Sequence, residues 1–113
     1  MADQKQFVDV TRLDDRVTLA VHGPIHADVV WLEAALKGAL ADKPKLVELD
    51  LAGTDYISSI GLAALIAFRN NITSNGGVVR IIAIDHRIFG VLRNAYVSGL
   101  FDIQPGAVVG KKD

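Results

Sequence analysis

The sequence predicts an α/β domain whose interior strands run mostly parallel. Three observations lead there. Apolar residues alternate with period two from Phe7 to Val21, then recur at helical spacing from Val29 to Leu40. Two short apolar runs, LVELDL and VVRIIAI, follow, separated by a segment long enough for a helix. The resulting order is β-β-α-β-α-β-α-β. Strands joined through helices of this length make right-handed crossovers and pair in parallel.

Each element has a local reason. Phe7, Val8, Val10 and Leu13 mark a first strand. In a second, Val17, Leu19 and Val21 alternate with Thr18, Ala20 and His22. Such alternation gives a strand one buried face. Asp14-Asp15 is a polar turn, and Gly23-Pro24 breaks the second strand, since proline lacks the N–H donor. Val29, Leu32, Leu36, Ala39 and Leu40 then form one face of a helix over about Asp28 to Ala41, with Asp28 as N-cap and Pro44 closing the segment. Trp31 falls between two of these core positions. It reads either as partial core packing or as an interface anchor.

Leu46 to Leu51 reads as a buried strand, followed by a turn at Gly53-Thr54-Asp55. A helix is expected from about Ser59 to Asn71. Ile60, Leu62, Leu65, Ile66 and Phe68 surround most of it, so cover on several sides is expected. Asn75-Gly76-Gly77 stops it. Val78 to Ile84 is a central strand. Asp85 or His86 opens a third helix with Ile88, Phe89, Leu92 and Tyr96 on its apolar side, and Ser98-Gly99 ends it. Leu100 to Ile103 makes a last short strand. One domain is expected over 1–113, with its core at about 7–103 and 104–113 as a loose tail.

Composition narrows the function classes. A chain of 113 residues, 50% hydrophobic and 22% charged, fits one well-filled core. Mean hydropathy is +0.31. Twelve basic residues against 13 acidic ones leave a net charge of −1, without the basic excess of a nucleic-acid or anionic-membrane binder. Cysteine is absent, which excludes disulfides, thiolate metal sites and cysteine nucleophiles. Met1 to Gln6 hold no signal-peptide core. The longest glycine-free apolar run, Leu62 to Phe68, is far below the roughly 20 residues of a membrane helix. The expected compartment is the cytoplasm, with no membrane insertion and no cofactor.

The stretch Asp50 to Leu62, DLAGTDYISSIGL, carries the chemistry. Two serines stand between a strand and an apolar helix. Either Ser58 or Ser59 serves as a helix cap, or a hydroxyl there is an exposed site for an anion, near free N–H groups. A phosphate would bring roughly −1.5 to −2 charges, which the helix dipole tolerates. A nucleophile elbow needs G-x-S-x-G. Ser59 has only the second glycine, Gly61, so hydrolysis is not supported. His22 and His26 have a metal-ligand spacing on a helix, but Gly23-Pro24 between them forbids one. GAVVGKK, Gly106 to Lys112, is one residue short of phosphate-loop spacing and no helix can follow it.

The segment YISSIGLAAL, between the LVELDL and GGVVRI strands, resembles the STAS domain, and within it the single-domain bacterial anti-sigma factor antagonists. The likeness extends through GPIHADV and HRIFGVLRNAYVSGLFDI, and spans about Phe7 to Ile103. It implies a mixed sheet of four to five strands with helices mainly on one side. It also implies partner switching. A serine kinase that is also the anti-sigma factor, of the histidine-kinase-like ATPase type, binds the unphosphorylated antagonist and releases it on phosphorylation. A serine phosphatase restores it. Carried over, the acceptor is Ser59, two before Gly61, with Ser58 as the alternative. The implied contact surface comprises Gly23, His26, Asp28, Asp55, Tyr56, Ser58, Ile60 and Gly61, together with the exposed side of the helix after Ser59. Where many members have aspartate before the acceptor and a hydroxyl after it, this chain has Ser58 and Ile60.

Two competing readings keep this fold. One is an accessory STAS subunit of a transporter or another signalling assembly, with Ser59 only a helix cap. The other is a nucleotide or small-ligand binder with an anion at the same helix N-terminus. No acid–base pair stands beside the serines to suggest an enzyme.

Overall fold

A computed structural model describes residues 5–110. Strands β1 (Phe7–Leu13) and β2 (Arg16–His22) form an antiparallel hairpin turned by Asp14 at φ 54°. Then come α1 (Val30–Ala41), β3 (Leu46–Gly53), α2 (Ser59–Ser74), β4 (Val78–Asp85) and α3 (His86–Asn94). A 3-10 turn, Ser98–Leu100, leads into β5 (Asp102–Ile103) and β6 (Val108–Val109). The sheet runs β1-β2-β3-β4-β5, and β6 also pairs with β4; every pairing after the hairpin is parallel.

Period-two alternation builds the core directly. Val17, Val47 and Val79 stand side by side across three strands, as do Leu19, Leu49 and Ile81. All six are buried, and Leu32, Leu36 and Ala39 of α1 and Leu65, Phe68 and Ile72 of α2 join the same cluster. The alternate positions carry polar groups: Glu48 accepts from the Thr18 hydroxyl at 3.0 Å, and Arg80 pairs with Asp102 at 2.8 Å. The strand β4 holds one extra residue after Ile81, so the next buried pair is Leu51 with Ile84. A bulge of this kind re-aims the end of a strand. Past the bulge, Asp85 is buried at the end of the strand.

Several expectations change. Strand β1 lies at the sheet edge and has no fully buried residue; Leu13 is 56% exposed. Helix α1 starts at Val30, not Asp28. Asp28 instead accepts from the Val30 N–H at 3.3 Å, while buried Val29 occupies the cap position. Trp31 is half-buried against the core and donates to the Asp28 carbonyl. Helix α2 runs three residues beyond Asn71 and stops as expected: the Gly77 N–H reaches Ile72 O, with Gly76 at φ 83°. Its outer side is open rather than covered, with Ile60 51% exposed. Tyr96 does not join the apolar side of α3. It lies past the helix end at φ 60°, where the Val97 N–H closes onto Leu92 O, and the residue is 94% exposed.

The loose tail expected at 104–113 is also corrected for its described part. Gln104-Pro105-Gly106-Ala107 forms a turn, with Gly106 at φ 79° and the Ala107 N–H bonded to Gln104 O at 3.0 Å. Ala107 is buried, and its carbonyl accepts from the Ile84 N–H. A two-residue strand behind Pro-Gly has too short a pattern to read as a strand. Residues 111–113, and with them the last two residues of GAVVGKK, lie outside the described residues, as do the first four of Met1 to Gln6. No helix among the described residues is long and apolar enough to cross a membrane.

Candidate functional site

The parallel strands β2, β3 and β4 all end at one edge of the sheet, and the serine junction stands there. Two loops meet at it. Ile25 and Ile57 form an isolated parallel bridge, in which the Ile25 N–H donates to Tyr56 O and the Ser58 N–H donates to Ile25 O, both at 2.8 Å. Below it, the Gly23 N–H bonds Gly53 O at 3.0 Å. Both isoleucines are buried, so the bridge is anchored by core packing as well as by main-chain bonds. Buried Thr54 donates its hydroxyl to Tyr56 O.

The two serines take different roles. Ser58 is the N-cap of α2: its Oγ accepts from the Gly61 N–H at 3.0 Å and donates to the His26 carbonyl at 2.9 Å. One hydroxyl thus satisfies a free helix N–H and clamps the neighbouring loop. Ser59 is the first helical residue and is exposed.

The residues expected at a contact surface divide in the same way. His26, Asp28, Asp55, Tyr56 and Ile60 are exposed around the junction, and the His26 and Tyr56 rings lie 5.3 Å apart. Gly61 is buried. A Cβ there would stand 2.3 Å from Ile25 Cγ2, so glycine lets α2 approach the loop. Gly23 has φ 87°, and a Cβ would stand 2.4 Å from Lys5 O. At both positions glycine gives the clearance that close packing needs. His22 and His26 do not come together as ligands. The His22 ring stacks on Phe7, and His26 faces Tyr56.

Beside the junction is a polar cleft of about 350 Å3, lined by Lys5, Gly23, Gly53, Asp55, Asp85 and Arg87. Sequence reasoning named Asp85 as a helix opener but missed its partner. Asp85 accepts from the Arg87 backbone N–H at 2.8 Å, capping α3, and takes two bonds from the Arg87 guanidinium at 2.9 and 2.8 Å. Those guanidinium bonds outweigh burial and hold the Asp85 carboxyl at about 2. The same guanidinium is 3.7 Å from Asp55, which ties α3 to the start of the serine junction. An Asp and an Arg two apart at a helix start are the only sequence signal for this link.

These residues gather where the parallel strands β2, β3 and β4 end. The sequence matches the STAS domain over residues 7–107, and the chain belongs to that family. The match runs past Ile103 to the buried Ala107, in keeping with the closing turn and β6. An anti-sigma factor antagonist from Mycobacterium paratuberculosis has a similar structure, with TM-score 0.78 and 22% identity over 89% of this chain and 86% of that one. The anti-sigma factor antagonist SpoIIAA in its unphosphorylated form has TM-score 0.71 and 9% identity over 88% of this chain and 89% of its own. The Bacillus cell fate determinant SpoIIAA in the phosphorylated form has TM-score 0.66 and 9% identity, over 88% and 92%. At these identities the likeness is one of fold. No curated protein sequence matches.

Proposed function

We propose that this chain is a cytoplasmic bacterial anti-sigma factor antagonist that works by partner switching and has no catalysis of its own. Unphosphorylated, it binds a serine kinase of the histidine-kinase-like ATPase type that is also the anti-sigma factor. Phosphorylation of Ser59 ends that binding, and a serine phosphatase restores it.

One observation carries the reading: Ser59 is exposed at the start of α2 while the Ser58 hydroxyl beside it is engaged in two hydrogen bonds. A phosphate on Ser59 would sit at the positive end of a 16-residue helix, so the fold tolerates it. A partner covering His26, Tyr56 and Ile60 would have to desolvate a new dianion, which is costly. That the solved relatives include SpoIIAA in phosphorylated and unphosphorylated forms supports the same reading.

The test is incubation with the cognate kinase and ATP. One phosphate is expected on the wild type and on Ser58→Ala, and none on Ser59→Ala. Pull-downs should show kinase binding by wild type and Ser59→Ala but not by Ser59→Asp. Full phosphate uptake by Ser59→Ala would overturn the site.

A further inference from the structure

Helices α1 and α2 each follow a parallel strand, so both begin at the edge where Ser59 lies and run side by side away from it. Their 12 and 16 residues hold three charged side chains, Glu33, Lys37 and Arg69, in a chain that is 22% charged. Between them is an open groove of about 480 Å3, with Ala64, Ala67 and Phe68 on its α2 side and Leu36 and Leu40 on its α1 side. Val30, at the start of α1, is 72% exposed on its rim. Glu33 and Lys37 stand on the same rim one turn apart. Among the described residues neither makes an ion pair.

We propose that this face joins two copies of this chain about a two-fold axis, with α1 antiparallel to α1. The rim charges argue for a second copy because they complement themselves. Antiparallel helices bring Glu33 of each copy to Lys37 of the other, so two residues make two ion pairs. The same arrangement lays each exposed Val30 over the groove at Leu40 of the second copy. A self-complementary patch is what a two-fold interface requires. A core poor in charge with charges at its rim is the anatomy of such interfaces.

Sedimentation equilibrium from micromolar to millimolar concentration tests this, with circular dichroism melts confirming that each variant folds. The wild type should rise from 12.1 kDa to twice that mass. Glu33→Lys sets lysine against lysine twice and should weaken the dimer about tenfold or more. Lys37→Glu should do the same. The double exchange, Glu33→Lys with Lys37→Glu, should restore association. A wild type that stays monomeric at millimolar concentration overturns the proposal. So does a Glu33→Lys variant that associates as well as wild type. A monomeric wild type whose Glu33→Lys variant loses kinase binding also overturns it, and gives the groove to that partner. Phosphate uptake at Ser59 is read on wild type and the serine variants, without the Glu33 and Lys37 variants, so the two proposals fail separately.

Discussion

Gly61→Ala sets two effects of opposite sign against each other. Replacing glycine inside a helix with alanine ordinarily stabilises by about 1 kcal/mol. Here the added methyl would stand 2.3 Å from Ile25 Cγ2 and 3.2 Å from Ile57 Cγ1. Ile25 cannot swing away: it is fully buried and held by main-chain bonds on both sides to Tyr56 and Ser58. Overpacking of this kind costs about 1–3 kcal/mol, so the net should be destabilising. Urea denaturation gives the sign directly, through the shift in midpoint at constant slope. The double variant Gly61→Ala with Ile25→Ala removes the clash. Ile25→Ala alone should cost about 2–5 kcal/mol, and adding Gly61→Ala to it should cost nothing more. A Gly61→Ala protein as stable as wild type, or more so, would refute the close-approach argument. Simple additivity in the double variant would refute the choice of Ile25 as the obstacle.

Other expected outcomes follow from the same edge. Ser58→Ala removes the α2 cap and the clamp on the His26 carbonyl, and should lower stability by about 1 kcal/mol in urea, while Ser58→Thr keeps both bonds and should stay near wild type. The Asp85 carboxyl is lowered from 3.8 to about 2 in the folded protein, so its contribution is present above pH 3.8 and is lost as pH falls through about 2. Thermal melts across that window should therefore be steeper in pH for wild type than for Asp85→Asn. Parallel curves would dismiss the Arg87 bonds as the cause.

The legible parts of the sequence were those with a long period or a steric breaker. Val17, Leu19 and Val21 announce their strand because three alternations leave one reading. Asn75-Gly76-Gly77 announces a helix stop because few other residues reach the needed backbone angles. Tyr96 shows the limit. It takes the left-handed position that glycine usually fills, and no local pattern signals this. The tail 104–110 was missed because β6 is two residues long and gains its place from β4, a partner distant in sequence. At the site, the serines were visible and their division of labour was not. Which hydroxyl is engaged depends on the His26 carbonyl, 32 residues away. Gly23 and Gly61 stand out in the sequence, while the clearance each provides shows only in distances.

The cleft beside the serines has one more consequence. Lys5 lines it, and Gly110 backs onto its floor, where a methyl would lie 3.6 Å from Asp85 Oδ2. Lys5 and Gly110, at the two ends of the described residues, thus both stand beside Asp85. With a linker joining the two ends, the exposed Asp14-Asp15 turn would be a place to open the chain without breaking a strand. New ends would then leave from the opposite edge of the sheet, far from Ser59. A reporter attached to them would stand clear of the two serines.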